Sequence, residues 1–536
     1  MAGHTAFRRK EFLLAAFLDL SKAYDTVSRP LLLSKLQRLG IDGPMIFFLR
    51  AFLGNRTGAV SYRSAVSETR EFRNGVPQGS PLSPLLFTIY IAQALADSEA
   101  ERCAYADDLA LWVSAPTLEA AETQLSAALE PVYRWSTAHR MQFSAEKCVV
   151  LTVSQRGPRR EPDVRMGPIR LRAVPTAPYL GVIFDRTLSF KPQVDSLAAR
   201  RSRAMIQFQL LTHCRTGVHQ HILLRLYCAC LRPALEYASS VWGDASTTQL
   251  SRVESLQHRT LCKALGVNRL SHRADVAVEA GVPPTAVRRK VEILRIWAKL
   301  WRQAAPYSKV LDSFPPGDLY RSPRRISFLL RLQQLTSELN ISLESAKHLN
   351  RAQLDEILRQ LWISSRAQRQ GQDDQDGRRA RREVGPNDAV GRDDRIAAYA
   401  SLSSGIDWYR PTAYRSTARP VLAIWHMLRL GTAPLNGFLS VIDDTRDGSC
   451  SCGHASETVQ HYLLDCERYT AQRTALATSV RAQVPTFACL SVPRLLGDPD
   501  RLSTAQLDSI FVAVTSFITA TERFRDLIIP EGRPPD

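Results

Sequence analysis

An uninterrupted apolar run, Phe12-Leu13-Leu14-Ala15-Ala16-Phe17-Leu18, ends on an acid, Asp19. Seven apolar residues with no polar alternation predict a buried strand, and therefore a sheet with layers packed on both faces. An acid closing such a strand is costly to bury alone, so Asp19 calls for a cation nearby. A second acidic feature shares this setting. Asp107-Asp108 lies between Cys103-Ala104-Tyr105-Ala106 and Leu109-Ala110-Leu111-Trp112-Val113, which predicts strand, tight turn, strand with both acids at the turn. Asp-Asp also occurs at Asp373-Asp374, Asp393-Asp394 and Asp443-Asp444, where exposed acids in loops are the ordinary reading.

Residues 12 to 185 alternate apolar strand-like runs with amphipathic stretches, as an α/β layer requires. Ser28 and Pro30 start a helix that stops at Gly40, and Ser83-Pro84 opens another through about Ala96. Thr117 to about His139 reads as a third, and Lys147 to Val153 as a further strand. From about 190 to 303 the chain reads as helical throughout, rich in Arg and Leu. Between about 364 and 396 it is Arg, Gln, Asp and Gly with almost no large apolar residue, a solvated linker. A compact module follows from about 400 to 527, and 536 residues suffice for three or four domains.

Seventy Lys and Arg against 52 Asp and Glu leave a formal +18, which favours a polyanionic partner, although an anionic membrane surface would attract such a chain too. No run is long and apolar enough to span a bilayer, and the first residues lack the cleavage pattern of a signal peptide. The ten cysteines are scattered except near the C-terminus, which suits a reduced, intracellular protein. There Cys450-x-Cys452-x8-His461-x4-Cys466 has the ligand types and spacing of a zinc knuckle. His454 is an alternative ligand, and a reduced, metal-free cluster is the competing reading.

Three segments together resemble a known family. Phe17-Leu18-Asp19-Leu20-Ser21-Lys22-Ala23-Tyr24-Asp25 looks like motif A of reverse transcriptases. Gly75-Val76-Pro77-Gln78-Gly79-Ser80-Pro81-Leu82-Ser83-Pro84 resembles motif B, and Tyr105-Ala106-Asp107-Asp108 motif C. The wording is most similar to reverse transcriptases of non-LTR (LINE-like) retrotransposons, clearly over about residues 6 to 303. The resemblance implies an α+β polymerase palm, a ferredoxin-like sheet with helices, over residues 1–186. A helical thumb over 187–303, a helical connection and basic linker over 304–399, and a C-terminal helical module with the zinc-knuckle-like motif over 400–536 would follow. It implies an RNA-directed DNA polymerase acting on an RNA template, a DNA primer or target DNA, and deoxynucleoside triphosphates, with no membrane partner and a nuclear location at integration. A non-catalytic nucleic-acid-binding remnant is the alternative.

Residue roles follow from the same resemblance. Asp19 and Asp107 would hold two Mg²⁺ or Mn²⁺ ions roughly 3.5–4 Å apart, as in-line displacement at phosphorus requires, with Asp108 as the second acid of the hairpin. Backbone amides of Leu20, Ser21, Lys22, Ala23 and Tyr24 would meet the triphosphate. Tyr24 falls at the steric-gate position, where the family more often has Phe; a packed aromatic is the bland alternative. Gln78 and Gly79 would line the pocket for base and template, where an ordinary loop is the alternative. Lys147 falls at the motif D lysine, a general acid for pyrophosphate release, or is a plain exposed lysine. Tyr179-Leu180-Gly181 with Val182-Ile183-Phe184-Asp185 resembles the primer grip. Arg200, Arg201 and Arg203 suit a phosphate backbone, while Tyr227 and Trp242 read as core.

The chain also departs from the family. Motif A begins within the first twenty residues, leaving no room for the family's fingers, and Arg8, Arg9 and Lys10 are poor substitutes. The family's upstream apurinic-type endonuclease is not expected in this chain, residues 304 to 412 show no acidic constellation for an RNase H, and Pro499-Asp500 lacks the acid-lysine context of a restriction-like nuclease. The expectation is a truncated product, or a partial gene model, of a larger polyprotein.

Overall fold

The computed structural model describes residues 2–157, 160–212, 217–302, 321–322, 325–326, 328–365, 411–443, 445–485, 487, 489–496 and 502–528. The chain divides into two compact units. The first comprises Met1–Gln193 with Asp244–Ser246 and Pro316–Leu330; the second comprises Val194–Gly243, Thr247–Pro315 and Arg331–Asp536.

The first unit is built on a five-stranded sheet of β1 (Phe12–Asp19), β2 (Glu101–Tyr105), β3 (Asp108–Ala115), β4 (Val149–Val153) and β5 (Arg172–Val174), in the order β5-β4-β1-β3-β2. The apolar run occupies the centre of the sheet, antiparallel to both neighbours. Its alternate residues serve two cores. Leu14, Ala16 and Leu18 pack with Leu109, Leu111, Leu125 and Leu129. On the other face Phe17 meets the rings of Tyr179 and Phe184, with centroids 5.3 and 6.5 Å away. Burial on both faces is why the strand carries no polar alternation.

Helix α1 (Ala2–Arg9) precedes β1, α2 (Arg29–Arg38) begins after Ser28 with Pro30 in its first turn, and Gly40 follows its end at φ 83°. Helix α3 spans Leu82–Ile91, shorter than the sequence suggests. Beyond Ile91 the chain closes i→i−3 bonds, Ala94 N–H to Ile91 O and Ala96 N–H to Gln93 O, so it continues as tight turns. Helix α4 (Leu118–Ala138), capped by the Thr117 hydroxyl accepting from the Ala120 amide, lies against β1 and β3. The primer-grip-like segment is a hairpin, Thr176–Tyr179 paired with Val182–Asp185.

The second unit is helical, with Gln220–Leu226, Thr247–Leu265, Arg273–Ala280, Thr285–Arg302, Arg419–Arg429, Thr470–Gln483 and Thr504–Ala520 as its main elements. Residues assigned by sequence to the thumb and to the C-terminal module meet in one core: Leu223, Tyr227, Leu261 and Val276 pack with Leu422, Trp425, Tyr462 and Phe517. A buried polar chain runs through this core. The Tyr414 hydroxyl bonds Gln220 Oε1 at 3.0 Å and His426 Nε2 at 2.8 Å, and His426 Nδ1 lies 2.6 Å from Glu279 Oε1. Arg429 Nε donates to both Glu279 oxygens, at 2.9 and 3.1 Å, while its Nη1 donates to the Leu496 carbonyl.

Tyr227 and Trp242 are fully buried, as core residues should be. The linker from 366 to 410, Asp373-Asp374, Asp393-Asp394, Asp444, Pro499-Asp500 and the side chains of Arg201 and Arg203 lie outside the described residues. Among the described residues no helix is long and apolar enough to cross a membrane.

Candidate active site and metal centre

Sheet register brings the acids together. Asp19, the last residue of β1, pairs directly with Asp108, the first of β3. Asp107 sits in the two-residue turn between β2 and β3, where Ala106 takes a left-handed φ of 51°. All three acids are half-buried. Burial first, then the charges of Asp107 and Asp19, push the Asp108 carboxyl above the ordinary aspartate range. Like charges held this closely are a site for a cation. Lys147 Nζ lies 3.1 Å from Asp19 Oδ2, so its ammonium stands in for part of the positive charge that a divalent ion would bring. The residues present therefore fit the ions that the motifs imply.

Backbone bonds fix the end of β1. Ser144 N–H donates to Asp19 O at 2.9 Å, and Leu20 bridges Phe143. The Asp19 N–H donates to Cys148 Sγ at 3.5 Å; burial raises this thiol's pKa, so it stays neutral beside the acid. Lys147 belongs to the turn before β4 rather than to the strand: its amide and that of Cys148 both donate to Ser144 O. Lys22 then turns the chain with φ 48° into the short helical turn Ala23–Thr26, whose first amides have no partner within the turn. Ser21 departs from the expected set, because its amide already donates to Gln142 O at 2.8 Å.

The motif B segment is stitched to this turn. Val76 N–H donates to Tyr24 O and Gly75 N–H to Val27 O, while Arg29 donates to the carbonyls of Gly75 and Asn74. Gly75 has φ +85°, and a Cβ there would come within 2.9 Å of Asp25 Cα, Asp25 O and Tyr24 O. Those are backbone atoms with nowhere to go. Gly75→Ala is expected to cost about 1–3 kcal/mol and to disorder the loop, measurable by urea unfolding and by proteolysis between 70 and 80.

Gln78 Nε2 donates to Asp25 Oδ1 at 3.0 Å, so Gln78 is held before any substrate arrives. The Tyr24 ring stacks on Phe87, with centroids 4.6 Å apart and an interplanar angle of 14°. A cleft of about 660 Å³ is lined by Asp19, Asp107, Lys147, Tyr24, Gln78 and Gly79, together with Leu20, Lys22 and Ala23. Asp25, Ser80 and Ser83 also line it, and the sequence reading passed them over. The Asp25–Gln78 contact joins residues 53 apart, and no local pattern announces it.

In the second unit Cys450, Cys452, His461 and Cys466 hold their donor atoms within 4.8 Å of one another. Cys450 Sγ and Cys466 Sγ are 3.7 Å apart, and Cys452 Sγ lies 3.3 Å from His461 Nε2. Tetrahedral zinc with Zn–S of about 2.3 Å spaces its sulfurs by roughly 3.7 Å, so the donor set fits. His461 is presented by a π-turn, His461–Asp465. The alternative ligand, His454, stacks on His461 at 4.2 Å with its Nδ1 against its own loop at Ser456, outside the converging set. Burial pushes the Cys466 thiol up to about 11, a penalty that thiolate coordination to a cation would reverse.

Residues 3–184 match the family described as reverse transcriptase (RNA-dependent DNA polymerase), and the chain is similar to polymerases of mobile elements. Over 319 residues it is 28% identical to the RNA-directed DNA polymerase from mobile element jockey of Drosophila funebris, covering 58% of this chain and 33% of that protein. The probable RNA-directed DNA polymerase from transposon BS of Drosophila melanogaster is 29% identical over 48% of this chain and 29% of its own length. The matched stretch thus spans about a third of these curated relatives. The Pol polyprotein from type-1 retrotransposable element R1 2 of Nasonia vitripennis is 22% identical over 74% of this chain and 86% of its own length. A telomerase structure from Candida albicans, with a TWJ fragment of telomeric RNA, aligns at 15% identity over 58% of this chain and 53% of that chain; its TM-score of 0.24 is too low to bear on the fold.

Proposed function

We propose that the first unit is the palm of an RNA-directed DNA polymerase, joining deoxynucleotides to a primer 3′-hydroxyl along an RNA template. The observation that carries this reading is the register of Asp19 opposite Asp108, with Asp107 at the adjoining turn; Asp19 and Asp107 line a cleft together with Tyr24 and Gln78, and Asp108 stands behind them. Asp19 and Asp107 would hold two Mg²⁺ or Mn²⁺ ions, and Asp108 would support them. Bound there, such ions supply the Lewis acidity that activates an attacking hydroxyl and neutralises a leaving pyrophosphate.

The remaining roles belong to the chain itself. Amides of Lys22, Ala23 and Tyr24 face the triphosphate from the start of a helical turn. Gln78, oriented by Asp25, bounds the base and template. Lys147, 3.1 Å from Asp19 on the same cleft, would deliver a proton to the leaving group. Residues 1–186 then form the palm and 187–303 the thumb. The cluster Cys450, Cys452, His461 and Cys466 is a structural zinc site within the C-terminal module, 400–536. Integration of the product would place the protein in the nucleus.

Tyr24, braced by Phe87, would crowd a ribose 2′-hydroxyl. Tyr24→Ala is expected to raise ribonucleotide over deoxynucleotide incorporation by roughly 10²-fold, the scale on which a steric pocket discriminates one hydroxyl. Competing rGTP and dGTP in single-nucleotide extension measures this ratio, and an unchanged ratio removes Tyr24 from the gate. The function itself is tested by extending a DNA primer annealed to an RNA template. Incorporation that needs Mg²⁺ or Mn²⁺ and stops with EDTA is expected. Salt-sensitive binding without incorporation in either metal would assign the chain to the non-catalytic remnant instead.

A further inference from the structure

A second cavity, of about 760 Å³, opens in the helical unit, away from the cysteine cluster's ligands. Leu224, Val282 and the buried ring of Tyr414 form apolar wall, and Arg225 and Arg415 supply the charge. No acid is among its described lining residues. Arg225 and Arg415 are both exposed, and neither makes an ion pair or side-chain hydrogen bond among the described residues. Five arginines of the unit are by contrast paired with acids: Arg252 with Asp195, Arg288 with Glu236, Arg289 with Glu254, Arg429 with Glu279 and Arg523 with Glu457. Thr412, which lines the cavity, donates its amide and hydroxyl to Asp508 at 2.7 and 2.6 Å.

The wall has two further features. Helix Gln220–Leu226 continues as a π-turn, Tyr227–Leu231, and π-turns occur often at functional sites. His221 Nδ1 lies 2.8 Å from His219 Nδ1, within hydrogen-bond distance. Two unpaired guanidinium groups in a concave, partly apolar seat attract an anion that also carries apolar surface. A sugar–phosphate strand has that composition, and the cavity volume falls in the range that takes a ligand of nucleotide size.

We propose that this cavity seats the phosphodiester backbone of a single-stranded nucleic acid, with Arg225 and Arg415 as its two phosphate contacts. The proposal rests on the nucleic-acid reading above, but not on catalysis at the carboxylates. Its test is binding of a fluorescein-labelled single-stranded RNA to the full chain between 50 and 300 mM KCl, for the wild type and for the Arg225→Ala, Arg415→Ala double variant.

Losing two phosphate contacts should make the slope of log K against log salt shallower by about 1.4 and weaken binding about tenfold or more at moderate salt. The Arg225→Lys, Arg415→Lys pair keeps both charges and should keep the wild-type slope, which separates lost contacts from lost folding. An unchanged slope in the alanine variant, or a slope lost equally in the lysine variant, overturns the proposal. So does full competition by inorganic phosphate at millimolar level, which would mark a free-anion site. Primer extension per bound complex reports on the carboxylate cleft, so failure of the polymerase reading and failure of this one are seen in different measurements.

Discussion

Replacing Asp19 with Asn is expected to lower templated extension by about a thousandfold or more, because the proposed two-ion site would lose one of its charged ligands. The substitution keeps shape and removes charge. The bonds that hold this end of β1, Ser144 N–H to Asp19 O and Asp19 N–H to Cys148 Sγ, use backbone atoms of Asp19, so the strand stays paired. Template–primer binding should therefore remain within a few-fold of wild type, while Mn²⁺ titration in the extension assay shifts to higher concentration. An Asp19→Asn protein that extends at the wild-type rate would remove Asp19 from the site.

Asp108→Asn separates charge crowding from ligation. The Asp108 carboxyl is raised by burial and by Asp107 and Asp19, so in the folded chain it ionises at higher pH than in the unfolded one. A raised acid favours the fold while protonated, and that contribution is lost as pH rises through the folded value. In EDTA the variant should thus melt above the wild type at pH 7 and level with it near pH 4. Excess Mg²⁺ should reverse the order at pH 7, since the wild type alone then gains a full set of ligands. Matching melting temperatures in all three conditions would show that the acids do not crowd one another.

Parts of the site were legible in sequence because their physics is local. Two-sided burial leaves an unbroken apolar run in Phe12–Leu18, and a tight turn between two apolar strands leaves Asp107-Asp108 where no solubilising loop would be. The cysteine cluster was legible through spacing, which already favoured His461 over His454; the π-turn that presents His461 is not encoded in that spacing. What was not legible joins distant segments. Phe87 behind Tyr24, Asp25 holding Gln78, and Cys148 under Asp19 are contacts between elements 53 to 129 residues apart or simply on facing sides of a core. The amide of Ser21 looked available until its partner, Gln142 O, came from the turn after α4. The common core of the thumb helices and the C-terminal residues was hidden for the same reason: each amphipathic face announces that it is covered, not by what.

That common core makes Glu279 the most consequential charge outside the cleft. Glu279 and His426 are fully buried and Arg429 nearly so, and they join helices Arg273–Ala280 and Arg419–Arg429 across about 150 residues of sequence. Burial opposes ionisation of Glu279, but the Arg429 charge and the hydrogen bonds from His426 and Arg429 outweigh it and hold its carboxyl well below the usual glutamate range. Glu279→Gln keeps the volume and strands the Arg429 guanidinium without its counter-charge. Removing one partner of a buried pair costs about 3–5 kcal/mol, and the second unit's unfolding in guanidinium should show that loss at pH 7. Glu236→Gln, which frees the partly exposed Arg288, should cost distinctly less. A depressed acid contributes stability above its unfolded pKa of about 4.3 and loses it as pH falls toward the folded value. The gap between wild type and Glu279→Gln should therefore be widest above pH 5 and should close steadily below pH 4. A variant as stable as wild type at pH 7 would mean that Arg429 is neutralised by something other than Glu279, and that the two sequence-distant helices are held by apolar contact alone.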